Sequence, residues 1–407
     1  MSIWQFTKLI PEIIWFIIKE NKQLDELTFK CKNLYNKANY MIRQEFINNG
    51  RYISKFDMFN LLIDDDDYIA VGSTRVARCV LRTLNANWIS FFASIKDWKN
   101  NKSKYKGKPN LPKYLPKKGK FNAIFIDSSI LKPTKKNKGI GLSTTDLRIN
   151  TKIEYKNIVE INVKPLQTKK YKISISYKHE EEKIKTNNDQ YCSIDLGLNN
   201  LMTLTSNKTG LSPLIINGRP LKSINQYYNK KKAEYQSKLP NKVYKSKRLN
   251  VLTEKRNNKI NDYLHNASNY IIKHCLTNDL NTIIVGYNEG WKNEINIGKK
   301  NNQNFVNIPF ERLVVMIDYK ARKHGLNVKK QEESYTSKCS FLDDEDVKKH
   351  DIYQGKRIIR GLFRSSNGSL INSDVNGSLN ILKKAVPNAF ADGIEAVAVQ
   401  PKGRISL

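Results

Sequence analysis

Two aspartates, far apart in the chain, each stand where a carboxylate could serve a metal-dependent reaction. Asp195 ends a predicted buried β-strand, just before the turn at Gly197. Asp374 opens a predicted helix whose apolar face continues through Leu379 and Ile381. Paired carboxylates of this kind hold the divalent ions that assist phosphodiester hydrolysis. On a strongly basic chain, the pair predicts a metal-dependent site that cuts a phosphodiester bond.

The charge balance indicates a polyanionic partner. The 407 residues include 71 Lys and Arg against 38 Asp and Glu, which gives a formal net charge of +33. Nucleic acid is the expected partner, and binding should weaken steeply with salt. A membrane surface is disfavoured because the lysines are spread over the whole chain and no apolar run is long enough to cross a bilayer. The length allows two or three domains, each with its own core.

The cysteines and an early apolar run bear on the compartment. Five cysteines are scattered along the chain and form no C-x-x-C pair, which favours a reducing cytoplasm over a disulfide framework or a cysteine zinc ribbon. The run from Ile13 to Ile18 follows Pro11 and lacks a small-residue cleavage site, so it predicts the start of a core helix and not a signal peptide. We expect a cytoplasmic protein that associates with the nucleoid when bound to DNA.

Hydrophobic periodicity divides the chain into three parts. Residues 20–100 are predicted to be helical, and short apolar runs over 121–185 predict a small twisted sheet or barrel. From residue 191 the predicted order is three strands, a long basic helical region over 220–277, a strand at Thr282–Val285, a helix and another strand. This order matches the ribonuclease H architecture, a mixed five-stranded sheet that carries acids on its first strand, fourth strand and last helix.

Two basic segments of the first half are candidates for nucleic-acid contact. One is a set of arginines on a predicted helix whose other side is apolar. The other is a proline-punctuated stretch in which lysines are interleaved with tyrosine, a pattern that suits a phosphate backbone with exposed bases, although a plain basic linker explains it equally well. The candidate residues are Arg75, Arg78, Arg82, Lys104, Tyr105, Lys106 and Lys108.

Five short strings in a fixed order give the chain a family resemblance. They are Asp195–Gly197, Lys255–His265, Asn302–Phe305, Tyr335–Ser337 and Asp374–Ile381. With this order and spacing, the chain resembles TnpB, the RNA-guided DNA nuclease carried by insertion sequences and the ancestor of type V CRISPR effectors. The resemblance covers nearly the whole length.

The resemblance implies a multidomain α+β protein with a helical recognition lobe, a wedge-like β-barrel and a RuvC-type, ribonuclease H-like α/β nuclease domain. A small target-nucleic-acid-binding insert interrupts the nuclease domain. The expected segments are 1–20 for the start of the wedge and recognition region, 20–105 for the recognition domain, 106–188 for the barrel, 189–337 for the first nuclease part, 338–371 for the insert, 372–392 for the last nuclease helix and 393–407 for a tail.

The resemblance also implies partners and cofactors. The family binds a guide RNA, recognises a short motif beside its double-stranded DNA target, and cuts both strands with Mg²⁺, for which two ions are expected. A basic helix along the guide–target duplex and the insert would add nucleic-acid contacts. Their candidate residues are Lys247, Arg248, Lys255, Arg256, Arg357, Arg360 and Arg364. The guide, the flanking motif and the number of copies that assemble stay open.

The sequence departs from the family's pattern in the insert. The family's insert carries four zinc-binding cysteines, whereas the interval from Ser337 to Asn372 contains only Cys339. One thiol cannot build a tetrahedral structural zinc site, so no zinc is expected. The interval is predicted to be a metal-free basic insert that touches nucleic acid; a solvated loop is the alternative.

A second departure affects the catalytic acids. The family's central glutamate should follow the Thr282–Val285 strand, but Gly286 and Tyr287 stand there. Glu332 and Glu333 follow the neighbouring predicted strand, and adjacent strands lie about 5 Å apart, so one of them could supply the missing carboxylate to the metal site. Glu333 is favoured over Glu332, and Glu289 is a further alternative.

The expected function is therefore an RNA-guided DNA endonuclease, with Asp195, Glu333 or Glu332, and Asp374 as catalytic, metal-binding acids. A nuclease-deficient RNA-guided repressor or transposition accessory protein is the alternative, because the central glutamate is missing. A conventional transposase that acts on DNA ends without RNA would need a catalytic tyrosine or third acid, and no tyrosine in the sequence is singled out for that role.

Overall fold

The protein is described here by a computed structural model that covers residues 12–178, 182–288, 308–391, 393, 395–401 and 403–407. The chain forms two compact units, Met1–His179 and Glu180–Leu407. Both units combine helices with β-sheets. The predicted multidomain α+β architecture is therefore confirmed, whereas the finer domain boundaries stay predictions.

The first unit begins with a strand and continues into helices. Helix α1 starts after Asn21, whose side chain accepts a hydrogen bond from the Leu24 amide (3.1 Å), and α4 starts after Ser73, which caps Val76 in the same way. Trp88 of α4 is fully buried, and its indole N–H donates to Asn39 Oδ1 of α1 at 3.0 Å. The helices are α1 Lys22–Asn49, α2 Lys55–Leu62, α3 Asp66–Ile69 and α4 Thr74–Asn100.

The strands of the first unit form two sheets. One has the order β1-β7-β6-β2 and the other β3-β4-β5. Among the described residues these sheets do not close into one barrel, so the predicted wedge-like barrel is not found as a closed structure. The strands are β1 Glu12–Ile18, β2 Ala123–Ile126, β3 Ile130–Leu131, β4 Ile140–Leu142, β5 Arg148–Ile149, β6 Ile158–Pro165 and β7 Tyr171–Tyr177.

The prediction of a helix at Ile13–Ile18 is wrong. These residues lie in β1, which pairs antiparallel with β7 over its full length, from Glu12 opposite Tyr177 to Ile18 opposite Tyr171. Branched and aromatic side chains favour a pleated surface, and a short apolar run does not by itself distinguish a strand from a buried helix.

The proline-rich basic stretch after α4 packs along α1. Residues 106–118, which we name the basic strap, are held by side chains that repeat along one face of α1. Asn36 Nδ2 donates to the Leu115 carbonyl (2.9 Å) and Asn39 Nδ2 to the Pro112 carbonyl (3.0 Å). Lys32 donates to the Lys117 carbonyl at 3.0 Å. The prolines preclude a helix, and the bonded carbonyls fix an extended path.

The second unit is built on a mixed sheet with the strand order β12-β11-β8-β9-β10-β16. Strand β8 lies between antiparallel β9 and parallel β11, and β12 pairs parallel with β11. Strands β8 to β12 match the predicted sheet in number and in chain order, and β16 adds a short edge strand. The strands are β8 Tyr191–Leu196, β9 Asn200–Ser206, β10 Leu214–Asn217, β11 Thr282–Gly286, β12 Asn327–Gln331 and β16 Arg404–Ile405.

Helices cover both faces of this sheet. Ile194 and Val285 share a hydrophobic core with α6 and α7, whereas Ile284 packs on the other face with Ile381 of α8. The predicted long helical region is two helices, and Pro240 lies in the connection that separates them. The helices are α5 Arg219–Ser237, α6 Lys247–Thr277, α7 Phe310–Lys323 and α8 Ser373–Ala385.

The insert before α8 is a small three-stranded antiparallel sheet, β13 Lys356–Ile359, β14 Leu362–Arg364 and β15 Leu370–Asn372. The carboxylate of Glu345, which precedes this sheet in the chain, is buried and accepts hydrogen bonds from the amides of Ser340 (2.7 Å) and Gln354 (3.1 Å). The buried Ser340 amide needs a partner, and this side chain supplies it while also binding the amide of Gln354.

All five cysteines are buried free thiols. Cys192 and Cys275 approach each other to 3.5 Å between their sulfur atoms. Within the described part of the chain, no helix combines the length and hydrophobicity that a membrane span requires.

Candidate active site and nucleic-acid contacts

The position of Asp195 follows from the alternation of side chains along β8. Ile194 faces the core shared with α6 and α7, so Ser193 and Asp195 face α8. Ser193 Oγ donates to the Ser378 carbonyl of α8 at 2.6 Å. At Gly377 a side chain would be tightly placed, because a Cβ there would lie 3.0 Å from Asp195 Oδ2 and the carboxylate would have to shift. Small residues on α8 therefore bring the helix close to the carboxylate of Asp195.

Asp374 lies in the first turn of α8. The side chain of Asn372 accepts hydrogen bonds from the amides of Asp374 (3.0 Å) and Val375 (3.2 Å), and so fixes the start of the helix. Asn200 Nδ2 of β9 donates to Asp374 Oδ2 at 2.6 Å. Arg357 of the insert lies 3.5 Å from Asp374 Oδ1. The carboxylate of Asp374 is thus held by one amide and one guanidinium.

Glu333 approaches this site through the space left by Gly286. Gly286 is the last residue of β11 and pairs with Gln331 of β12. A Cβ at Gly286 would lie 2.9 Å from Glu333 Oε2. The backbone of Glu333 is fixed on both sides, since its amide donates to Asn288 Oδ1 (3.1 Å) and its carbonyl accepts from Thr336 Oγ1 (2.8 Å). The glutamate following β12 therefore reaches the place where a side chain of β11 would lie.

Glu332 points elsewhere. Its Oε2 lies 2.6 Å from Lys384 Nζ, and its Oε1 accepts from the Ser334 amide at 2.7 Å. Its side chain is 54% exposed. The structure thus brings Asp195, Glu333 and Asp374 together and leaves Glu332 in an ion pair at the surface. The remaining alternative, Glu289, lies outside the described residues.

The electrostatics show that the acids are neighbours. Burial first, then the negative charges of Asp374 and Glu333, raise the pKa of Asp195 well above its usual range, and Arg357 opposes this rise. Burial, followed by the charge of Glu332, raises the pKa of Glu333 to about 7. Carboxylates in such surroundings resist ionisation unless a cation joins them.

Oxygen ligands fit a hard divalent ion such as Mg²⁺. The buried Oδ1 atom of Asn200 is an oxygen donor in addition to the three carboxylates, and it has no hydrogen-bond partner. Among the residues that the structure describes, however, no three carboxylate, imidazole or thiol groups are already gathered closely enough to hold a metal ion. The oxygen donors are therefore of the kind that magnesium prefers. The side chains lie near one another, but they are not already arranged as a metal site.

Three asparagines of the site region were missed by sequence reasoning. Besides Asn200, they are Asn376 and Asn380, which are fully buried one turn apart on α8. Asn376 Nδ2 donates to the Cys339 carbonyl (2.9 Å), and Asn380 Nδ2 donates to the Thr336 carbonyl (2.9 Å). They anchor the start of the insert to the helix that carries Asp374. Two amides spaced by four residues lie on one face of a helix, and this spacing is the signal that could have revealed them.

The residues of the first unit that are predicted to contact nucleic acid differ in how exposed they are and in whether they already bind another side chain. Arg75 is exposed, whereas Arg78 lies over the Phe59 ring and Arg82 lies 3.5 Å from Glu160. Tyr105 donates to Asp97 at 2.7 Å, and Lys104 lies 3.9 Å from the same carboxyl group. Lys106 and Lys108, at the start of the basic strap, are exposed.

Most of the candidates in the second unit are exposed. Arg256 is the exception: it is partly buried and donates to Asn225 Oδ1 at 2.8 Å, so it also helps to join α6 to α5. Arg357 combines exposure with its position beside Asp374. The exposed candidates are Lys247, Arg248, Lys255, Arg357, Arg360 and Arg364.

Two family models match parts of the chain. Residues 174–292 match a family model, OrfB_IS605, described as a probable transposase. Residues 310–381 match the Cas12f1-like TNB domain model. The two matches cover strands β8 to β12 of the mixed sheet, helices α5 to α7, the insert and most of α8.

Two individual proteins that this chain resembles are TnpB-like proteins. The TnpB-like protein ORF457 of Acidianus two-tailed virus is 25% identical over 406 residues, covering 90% of this chain and 84% of that protein. The TnpB-like protein MJ0751 of Methanocaldococcus jannaschii is 29% identical over 172 residues, covering 40% of this chain and 57% of that protein. These matches confirm the predicted resemblance: the chain is similar to TnpB-like proteins.

A solved structure supports the same fold. A Cas12f1 chain, determined by cryo-EM in a complex with sgRNA and target DNA, superposes with a TM-score of 0.55 at 16% identity, covering 88% of this chain and 81% of that one. At this identity the likeness concerns the fold alone. One string of the resemblance, Asn302–Phe305, lies outside the described residues.

Proposed function

We propose that this protein is an RNA-guided DNA endonuclease whose nuclease site is formed by Asp195, Glu333 and Asp374. The observation that carries the proposal is the convergence of these three carboxylates from β8, the end of β12 and the start of α8. Such acids on a mixed sheet beside a highly basic surface suit a metal-dependent cut of a nucleic-acid phosphodiester.

Each acid has a defined task in this proposal. The carboxylates of Asp195 and Asp374 would hold Mg²⁺ from two sides, and Glu333 would supply the acid that β11 lacks. When bound, the ions supply Lewis acidity at the phosphate and lower the pKa of the attacking water. Asn200 orients Asp374 through the 2.6 Å hydrogen bond. Arg357, beside Asp374, is placed to pair with a phosphate of the strand to be cut.

Target choice is proposed to rest on RNA. In proteins that use a guide, base pairing reads the sequence, and the protein reads backbone shape and a short flanking motif. The exposed cations of α6 and of the basic strap suit that division, because they contact phosphates without reading bases. The Cas12f1 relative was solved with sgRNA and target DNA, which supports extending these two partners to this chain.

A repressor without nuclease activity is the second candidate. The observation that favours it is Gly286, which stands where the family's central glutamate is expected. Glu333 counts against it, because its carboxylate approaches that same place. In a dead site, selection would no longer maintain carboxylates that repel one another.

The decisive experiment incubates the protein, purified with RNA from its own flanking locus, with guide-matched DNA and Mg²⁺. Cleavage of matched DNA is expected from the wild type but not from Asp195→Ala, whereas guide-dependent binding should be equal in both. Wild-type protein that binds matched DNA tightly and does not cut it would support the repressor instead. Cleavage that does not require RNA would refute guided recognition and favour a conventional transposase.

A further inference from the structure

Helices α5 and α6 enclose a groove of about 890 Å³ whose lining is aromatic and cationic. Three tyrosines line it: Tyr227, Tyr228 and Tyr235. Among the described residues of the lining, five are Lys or Arg and none is acidic. The groove belongs to the second unit and is separate from the candidate nuclease acids.

One wall of the groove is fixed by hydrogen bonds. Tyr228 and Thr253 join the two helices through their hydroxyls at 3.2 Å. The guanidinium of Arg256 lies 5.6 Å from the centre of the Tyr228 ring and also donates to Asn225 of α5. This arrangement holds Tyr228 in place and keeps the helices in register, so the groove is preformed.

The other two tyrosines are available to a ligand. Tyr227 is 60% exposed, and Tyr235 is partly exposed about two turns further along α5. The half-buried side chains of Val251 and Leu252 form an apolar strip in the same lining. Flat rings beside an apolar strip match the faces of unpaired bases, which gain by stacking whatever the base.

The cations favour a phosphate backbone. Lys247, Arg248, Lys255 and Lys259 are exposed along the lining. The nearby carboxylate of α5, Glu234, is engaged by Lys231 at 2.7 Å and Lys238 at 3.3 Å, so it does not neutralise them. A duplex could use these cations, but its stacked bases would leave the tyrosine faces without partners.

We infer that the groove between α5 and α6 binds a single-stranded nucleic-acid segment, with bases stacked on Tyr227 and Tyr235 and phosphates on the surrounding cations. The inference concerns a site apart from the cleavage chemistry and does not depend on nuclease activity. It predicts a preference for nucleic acid that carries exposed bases over an equally charged backbone without them.

The test compares two fluorescent single-stranded oligonucleotides of equal length, oligo(dT) and an abasic analogue, by anisotropy on nucleic-acid-free full-length protein. The wild type is expected to bind oligo(dT) about tenfold more tightly than the abasic strand. The double variant Tyr227→Ala, Tyr235→Ala should lose this preference and keep its affinity for the abasic strand. The matched Tyr227→Phe, Tyr235→Phe protein should keep the preference, because phenylalanine also stacks.

Tyr244→Ala is the control, since Tyr244 is 75% exposed in the connection between the helices and does not line the groove. Photocrosslinking with 4-thiothymidine should label peptides of α5 and α6. Equal binding of both strands by the wild type, or an unchanged preference in the double alanine variant, would overturn the inference. Either result would leave Asp195-dependent cleavage intact, so failure here is distinguishable from failure of the proposed function.

Discussion

Glu333 approaches Asp195 through space that a side chain at Gly286 would enter. A Cβ at Gly286 would meet both Glu333 Oε2 at 2.9 Å and Ile381 Cδ1 at 2.5 Å. The strand next to β11 therefore supplies a carboxylate that β11 lacks, and the two features depend on each other. A substitution of Gly286 by alanine would displace Glu333, although it removes no carboxylate.

Asp195→Asn is predicted to stabilise the metal-free protein. The raised pKa of Asp195 shows that burial and neighbouring carboxylates oppose its charge, and an amide removes that charge at similar volume. We expect a gain in the free energy of unfolding of about 1 kcal/mol, measured by chemical denaturation in chelator. Added Mg²⁺ should raise the thermal midpoint of the wild type and leave that of Asp195→Asn unchanged.

Asp189→Asn serves as the control for this prediction. Asp189 lies just before the same strand, and its carboxylate accepts a hydrogen bond from Tyr191 at 2.8 Å. The wild-type response to Mg²⁺ should persist in this variant. An identical Mg²⁺ response in Asp195→Asn would contradict the assignment of Asp195 as a metal ligand.

At the scale of elements, the sequence predicted the parts whose signals are local. Asp195 was placed at a strand end by the following glycine turn, and Asp374 at a helix start, where the Asn372 cap is found. The local sequence does not separate Glu332 from Glu333, because the ion pair that holds Glu332 at the surface is made by Lys384, which lies far along the chain. For the same reason β1 was mistaken for a helix: its partner β7 is distant in sequence.

The attachment of the insert to α8 gives a second prediction. Asn376→Ala removes the hydrogen bonds to the Cys339 carbonyl and the Phe341 amide. The buried Phe341 amide loses this partner, whereas the Cys339 carbonyl still accepts from Asn380 Nδ2 at 2.8 Å. We expect a loss of about 1–3 kcal/mol in the stability of the insert, seen as faster amide hydrogen exchange over β13–β15. Exchange in the first unit should not change.

The same measurement tests the metal-free interpretation of the insert. A chelator should leave exchange over β13–β15 unchanged, because Glu345 and the asparagines of α8 hold the segment by hydrogen bonds. Faster exchange on chelation in both the wild type and Asp195→Asn would show that a structural metal is bound there after all.

At the scale of the whole molecule, a net charge of +33 raises affinity for any nucleic acid, so particular surfaces must be separated from the general effect. The basic strap is such a surface, because its path is fixed on α1 while its lysines remain exposed. Sequence alone left the strap undecided between a linker and a binding surface. The interactions that order it come from α1, which precedes it by many residues.

The strap yields a third prediction, on salt dependence. Replacing Lys106, Lys108 and Lys113 with glutamine should reduce the slope of log affinity against log salt by up to about three for guide RNA or target DNA. A matched variant replaces the exposed Lys135, Lys136 and Lys138, which lie between β3 and β4. It removes the same charge and should change the slope less. Equal slopes in the two variants would show that the basic strap contributes only its charge and is not a particular binding surface.

The most direct test of the central claim, that Glu333 completes the nuclease site, moves the acid from one strand to the other. All proteins carry Ile381→Val, which removes the Cδ1 atom that a side chain at Gly286 would strike. Guide-dependent cleavage should fall about 100-fold or more with Glu333→Ala and recover substantially when Gly286→Glu is added. Glu332→Ala should cut like the parent protein. Cleavage that survives Glu333→Ala at the parental rate would contradict the account.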